Sequence, residues 1–287
     1  MRRRRLALAS AVAIAIGQTA SAKDDRERLP ISMPSPLTAT IGQTADISTP
    51  APGFALAAPE AAPNIVLFMS DDVGFAMSSV FGGPVPTPNF ARLAAQGVRF
   101  NSFHTTGICS PTRASLLTGR NHHRVATGFL TDLSSGYPGY EGHFSPSAAT
   151  IAQTLRLNGY STAMFGKHHN VPPAERTVSG PFDMWPTGLG FDHFYGFIGG
   201  DTDQWHPTLY RGTSFLAGQR DNSVALDRRL ADEAINWVHN QSAATPDRPF
   251  FIYYAPGSTH APPQAPAEFV ARFKGKFDHG WDAEREA

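Results

Sequence analysis

The chain has 287 residues, 41% of them hydrophobic and 17% charged, which suits a globular protein with room for a large core. Its 24 Lys and Arg balance 24 Asp and Glu; no basic stripe lies beyond the first residues, which argues against nucleic acid as a partner. A single cysteine, Cys109, excludes an internal disulfide and leaves a thiol that needs its own explanation.

The N-terminus reads as an export signal. Arg2 to Arg5 form a charged region, Leu6 to Ile16 a short apolar one, and Ala20-Ser21-Ala22 a cleavage site. Residues 1–22 are therefore expected to be a signal peptide, and the chain to be exported, periplasmic or secreted, by either the general or the twin-arginine route. The apolar run falls short of the roughly 20 residues of a spanning helix, so no stable membrane anchor is expected. Residues 23–62, rich in Pro, Ala, Ser and Thr, read as a linker or surface strap.

Residues 63–287 carry the core pattern. Asn64 to Met69 is a continuous apolar run, expected to be a strand buried on both faces. Thr87 and Pro88 open a helix that Gly97 ends, and Val98 to Phe103 returns as a strand. Cys109-Ser110-Pro111-Thr112-Arg113 starts a helix closed by Gly119. Ser147 caps another carrying Ile151 and Leu155, ended by Gly159, and Tyr160 to Phe165 follows as a strand. Residues 170 to 222, rich in Gly, Pro and aromatics, read as a long irregular excursion. Leu226 to His239 is a helix with Leu230, Ala234, Trp237 and Val238 on its apolar side. Phe250 to Tyr254 is again an apolar strand. Apolar strands alternating with amphipathic helices predict an α/β fold, a mostly parallel central sheet flanked by helices on both faces.

Polar groups follow these strands at once: Asp71-Asp72 the first, Gly166-Lys167-His168-His169 the second, and His260 the Phe250 strand. Open parallel sheets bind ligands beyond their carboxyl ends, so these groups are expected along one edge. Adjacent carboxylates repel unless a positive group sits between them, and their hard oxygens suit Ca²⁺ or Mg²⁺, although a solvated turn is the commoner use of such a pair. Cys109 at a helix N-terminus, with Arg113 nearby, faces unpaired backbone N–H groups that favour an anion, and spacing alone balances this against an ordinary helix start. Lys167, His169 and His260 suit anion binding and general-acid work; each alone is more often a surface or satisfied core residue. His122, His123, His143, His193, His239 and His279 are read as ordinary surface or core histidines.

Together these residues resemble the sulfatase family of the alkaline-phosphatase-like superfamily. The run from Cys109 to Arg120, C-x-P-x-R followed by T-G-R, is similar to the family's signature. Pro63-Asn64-Ile65-Val66 before Asp71-Asp72, Gly159-Tyr160 leading to Gly166-Lys167-His168-His169, and Ala255-Pro256 before His260-Ala261-Pro262 extend the likeness. Gly200 to Pro207 and Lys274 to Asp278 also resemble bacterial arylsulfatases.

The resemblance implies that a formylglycine-generating enzyme converts Cys109 to formylglycine, whose hydrated form attacks the sulfur of a small-molecule or sugar sulfate ester. It implies a divalent cation, Ca²⁺ with Mg²⁺ as the alternative, held by Asp71, Asp72 and the modified Cys109 side chain. It assigns Arg113 to stabilising formylglycine, Lys167 to sulfate, His169 to a formylglycine hydroxyl, and His260 to the leaving group. Trp205 and His206, in the aromatic stretch Phe191 to Tyr210, are candidate substrate contacts. Two departures stand out. His168 replaces the Trp of many relatives, a change of packing. After His260 no Asp-Asn pair and no second sulfate-binding Lys follow, so the domain is expected to be incomplete, lacking its C-terminal part. The alternatives are a non-catalytic remnant and a related phosphoester hydrolase; Cys109 in place of Thr or Ser argues against the latter.

Overall fold

The computed structural model describes residues 39–49, 56–217 and 223–286. The expected signal peptide lies outside them. The chain divides into two compact units, residues 1–52 and 53–287. The described part of the first holds a single 3₁₀ turn, Ala45–Ile47, and an antiparallel bridge between Thr40 and Thr49.

The second unit is built on one sheet. Its strands are β1 (Ile65–Phe68), β2 (Ser161–Lys167), β3 (His193–Phe197), β4 (Tyr210–Arg211), β5 (Ser214–Phe215) and β6 (Phe250–Ala255), in the order β1-β6-β2-β3-β4-β5. The first four in that order run parallel, and β4 and β5 complete the edge as antiparallel additions. The helices are α1 (Pro88–Gln96), α2 (Cys109–Thr118), α3 (Ile151–Arg156), α4 (Leu226–Ala244), α5 (Ala267–Phe273) and α6 (Trp281–Glu286).

Side chains alternate across the sheet with the two-residue period of a strand. Met164, Phe194, Phe251 and Tyr253 face Ala114 and Leu117 of α2 and Ala152 of α3. Ala163, Phe165, Tyr195, Phe250 and Ile252 face Leu226, Leu230, Ala234, Trp237 and Val238 of α4. Helices thus cover both faces, as the alternation of strands and helices predicts. The centre of the sheet approaches too closely for any side chain at two positions. A Cβ at Gly166 would stand 2.0 Å from the Ala255 carbonyl oxygen, and one at Gly196 2.1 Å from that of Gly166.

Several expectations are corrected. β1 is an edge strand: Ile65 and Leu67 pack on the core, while Val66 and Phe68 are exposed. Only β6 pairs with it. Residues 98–103 form no strand, and Val98, Phe100 and Phe103 are exposed. The cap of α3 is Thr150 rather than Ser147. Its Oγ1 accepts from Gln153 N while Gln153 Oε1 accepts from Thr150 N, a reciprocal capping box. The excursion at 170–222 contains β3, a fully paired parallel strand. α4 also continues five residues beyond His239, to Ala244.

Candidate active site

The carboxyl ends of β1, β6 and β2 lie side by side, and the groups that follow them meet there. Parallel register sets Phe68 beside Tyr254 and Gly166 beside Ala255, so Asp71, His260 and Lys167 leave the sheet together. Lys167 is fully buried, and its Nζ donates to Asp71 Oδ2 in a very short ion pair. Arg113 Nη2 lies 3.5 Å from the other Asp71 oxygen. Its Nη1 donates to the Lys167 carbonyl (2.9 Å) and to Tyr253 Oη (3.2 Å). Asp71 is thus a buried carboxylate compensated by two cations, which answers the electrostatic question posed by the Asp-Asp pair. Thr259 Oγ1 adds a hydrogen bond to the Asp71 carbonyl.

Asp72 behaves differently. Its backbone is left-handed (φ 53°), its side chain is 62% exposed, and His260 Nε2 is 3.7 Å from it. His260 Nδ1 is 2.7 Å from the Ala261 carbonyl and donates to it, which leaves Nε2 as the nitrogen turned toward Asp72.

Cys109 is the first residue of α2, after Ile108 in extended conformation. Gly119 closes the helix in the left-handed region (φ 64°), as its place in the sequence predicts. Arg113 follows Cys109 by one turn, on the same side of the helix. A cavity of about 290 Å³ is lined by Asp71, Asp72, Cys109 and Arg113, with Gly107 and Thr112 beside them. The half-buried thiol is a free one. The nucleophile candidate, both carboxylates and the guanidinium therefore share one cleft.

His169 is buried behind this cleft, in left-handed backbone (φ 57°). Its carbonyl accepts from Ser110 Oγ (2.9 Å) and Thr131 Oγ1 (3.3 Å). Its Nε2 donates to Asp132 Oδ2 in a very short contact, and Arg176 Nη1 donates to Asp132 Oδ1 (2.5 Å). Burial alone would raise the Asp132 pKa; the bonds from Arg176 and His169 outweigh it and hold the carboxyl at about 2. Burial lowers His169 to about 4 despite Asp132, with Lys167 adding to the effect. The pair is thus an ionised carboxylate and a neutral imidazole at neutral pH. Asp132 and Arg176 escape sequence reading, because they meet His169 and each other only through the fold. His168 is a packing residue, as its substitution implies: it is fully buried against the Met184 carbonyl, and burial lowers its pKa to about 3.

Trp205 and His206 are not in this cleft. His206 lines a second cavity of about 400 Å³, with Arg176, Asp201, Thr202 and Tyr210 among its walls; Trp205 is not on that wall. Asp203 holds this loop, accepting from the backbone N–H of both residues (2.7 Å each) and from Gln264 Nε2 (2.7 Å).

The cleft fits the modification better than the cation. Cys109 stands at an accessible helix N-terminus beside a guanidinium, where an oxygen nucleophile has room and charge support. Asp71 and Asp72 supply only two carboxylates, and Asp71 is already compensated. Among the described residues no group of three or more His, Cys, Asp or Glu could hold a metal ion. Ca²⁺ takes about 6–8 oxygens, so these residues alone do not complete its site.

A parallel α/β sheet with a cysteine on a helix N-terminus, two strand-end carboxylates and a buried lysine at its carboxyl edge defines a hydrolase-type architecture of the alkaline-phosphatase kind. The sulfatase family model matches residues 63–287, and the chain belongs to the sulfatase family. It is 32% identical over 240 residues to the arylsulfatase of Klebsiella aerogenes, covering 80% of this chain and 50% of the relative. It is 33% identical to human arylsulfatase A, covering 77% and 45%. Among solved structures, Ps i-CgsB in complex with k-i-k-neocarrahexaose superposes with a TM-score of 0.56 at 26% identity, covering 74% of this chain and 48% of that one. The PsFucS1 sulfatase from Pseudoalteromonas sp. shares the fold, with a TM-score of 0.53 at 22% identity, covering 75% and 52%. The chain thus spans about half the length of the curated relatives it matches. No helix among the described residues is long and apolar enough to cross a membrane.

Proposed function

We propose that the chain carries the nucleophile-bearing part of a site that hydrolyses organic sulfate esters, with Cys109 converted to formylglycine. The observation that carries this reading is Cys109 at the N-terminus of α2, one turn from Arg113, in the cleft that also holds Asp71 and Asp72. Formylglycine supplies, in its hydrated form, a hydroxyl nucleophile toward sulfur and a second hydroxyl whose collapse releases sulfate. Arg113 and the first N–H groups of α2 stabilise negative charge at that position. Lys167, buried and paired with Asp71, brings a positive charge behind that wall. His260, with its Nε2 toward Asp72, is placed to protonate a departing alcohol or phenol oxygen when the ring carries a proton on both nitrogens. Asp71, Asp72 and the modified Cys109 side chain would contribute oxygens to a divalent cation, Ca²⁺ or Mg²⁺, which would draw negative charge from the sulfate. A formylglycine-generating enzyme is the partner that modifies Cys109, and export to the periplasm or beyond is the expected destination. The substrate is an aryl or sugar sulfate; one relative, N-acetylgalactosamine-6-sulfatase of Rattus norvegicus at 30% identity, is named for a sugar.

The small donor set favours a second reading, a folded sulfatase-like unit that binds sulfate esters without cleaving them. Turnover of an aryl sulfate by the chain co-expressed with a formylglycine-generating enzyme separates the two. Turnover that disappears in Cys109→Ala supports hydrolysis; binding of the same ester without turnover supports the second reading.

A further inference from the structure

The cluster behind the cleft is more ordered than packing requires. His169 sits in left-handed backbone, a conformation that disfavours any side chain with a Cβ and persists only where the surroundings impose it. The surroundings here are Ser110 and Thr131 on its carbonyl and Asn170 Nδ2 on the carbonyl of Ser110 (3.1 Å). The ring is fixed separately. Asp132 takes Nε2, and Arg176 is in turn fixed by donating from Nε to the Val171 carbonyl (2.8 Å) and from Nη1 to Asp132. Gly200 closes the other side: a Cβ there would stand 2.7 Å from both Cε1 and Nε2 of the ring.

An ionised carboxylate has no proton to give. Nε2 of His169 must therefore carry the proton, and Nδ1 must carry the lone pair. Nδ1 is buried and has no hydrogen-bond partner among the described residues. A buried imidazole nitrogen left without a partner is costly unless something meets it during function. Ser110, whose side chain holds the His169 carbonyl, is the neighbour of Cys109 in α2, so the histidine backbone is tied to the helix end that bears the nucleophile.

We propose that Asp132, braced by Arg176, is a positioning residue that fixes His169 in the Nε2–H tautomer, so that Nδ1 serves as the proton acceptor of the site. This rests on the reading of the cleft as a sulfate-ester hydrolase site and deepens it. His169 donates from Nε2 to Asp132, its Nδ1 takes the proton of the formylglycine hydroxyl, and Asp132 acts only through His169. The charged groups around the ring are Lys167, Arg113, Arg176 and Asp132.

The test separates positioning from hydrolysis. The ¹⁵N-histidine-labelled full chain is measured by NMR near neutral pH, with the His169 signals assigned by their disappearance in His169→Gln. The account predicts a neutral ring with protonated Nε2 and unprotonated Nδ1. Asp132→Ala converts this to a mixture of tautomers or to the Nδ1–H form, and Asp132→Glu restores the original pattern. A wild-type His169 in the Nδ1–H form, or a tautomer unchanged in Asp132→Ala, overturns the proposal whether or not the chain turns over substrate. In chain that hydrolyses aryl sulfate, Asp132→Ala is expected to lower kcat by roughly 10²-fold with little change in KM, and Asp132→Glu to recover part of it. Loss in KM alone contradicts the positioning role. If Asp132→Ala fails to fold, Arg176→Gln reads the same tautomer with the carboxylate still in place but unbraced, and an unperturbed, fully fixed ring in that variant counts against Arg176 as the brace.

Discussion

The cleft has two sides of opposite character. On one side Asp71, Arg113, Lys167 and Tyr253 are buried and bonded to one another, and His169 continues the network through Asp132. On the other, Cys109 and Asp72 line an accessible surface, with His260 beside Asp72 and few bonds among them. Lys167 and Tyr253 of the buried side stand on the central strands β2 and β6, and Asp71, after β1, and Arg113, on α2, reach in to meet them. The open side is carried by segments outside the strands: Asp72 follows β1, His260 follows β6 and Cys109 begins α2. Central strands hold charged groups at fixed positions in low dielectric, where charge is most effective and most costly if unpaired. Loops and helix ends beyond the strands leave groups free to meet a ligand. A hydrolytic site needs both: fixed charge to stabilise the anion, and an accessible nucleophile and proton donor.

This contrast is broken first by charge removal. Lys167→Ala takes from Asp71 Oδ2 its buried donor and leaves Arg113, 3.5 Å from the other oxygen, as its remaining cation, and is expected to destabilise the fold by about 3–5 kcal/mol, the range for breaking a buried ion pair. Urea unfolding measures it; a loss below about 1 kcal/mol, the range of exposed pairs, would show that the buried side is no more fixed than the open one.

Acid gives the next effect. His168 and His169 are held neutral by burial, at about 3 and about 4, and both titrate near 6.5 when unfolded. Their folded pKa values lie below the unfolded ones, so the unfolded chain binds the extra protons. The stability they contribute is fully present above pH 6.5 and is lost as pH falls toward 4 and then 3. Each contributes a slope of about 1.4 kcal/mol per pH unit through that window. Unfolding midpoints followed from neutral to mildly acidic pH should decline accordingly, and His168→Gln should flatten the decline if it folds. A stability independent of pH in this range contradicts the neutral, buried assignment.

The smallest effect belongs to the open side. Asp72→Asn is expected to change stability by no more than about 0.5 kcal/mol, as at an exposed surface position, while altering the response of the site to Ca²⁺. A large loss of stability in the absence of cation would place Asp72 with the buried group instead.

Much of this arrangement was legible in the sequence, for physical reasons that differ by element. β6 and β2 announce themselves because both their faces are buried, so their residues are apolar without interruption. α4 shows its apolar stripe because one face packs on the sheet. β3 is hidden by Gly196, which the close approach to Gly166 requires and which interrupts the apolar pattern. Residues 98–103 mislead for the opposite reason: their apolar residues have the period of a strand but stay exposed and pair with no strand among the described residues. The cap at Thr150 was readable from its Gln153 partner. The convergence of Asp71, Lys167 and His260 follows from parallel strand topology alone. Asp132 could not be found this way, since it stands 37 residues from His169, outside any strand or helix period, and only the fold brings them together.

The central claim is that Cys109 is the precursor of the nucleophile. Peptide mass spectrometry across Cys109, on chain co-expressed with a formylglycine-generating enzyme, tests it most directly. The account predicts a peptide that has lost its sulfur and gained an aldehyde that captures a hydrazide probe. A peptide carrying an unmodified thiol under conditions that convert a known sulfatase would contradict it.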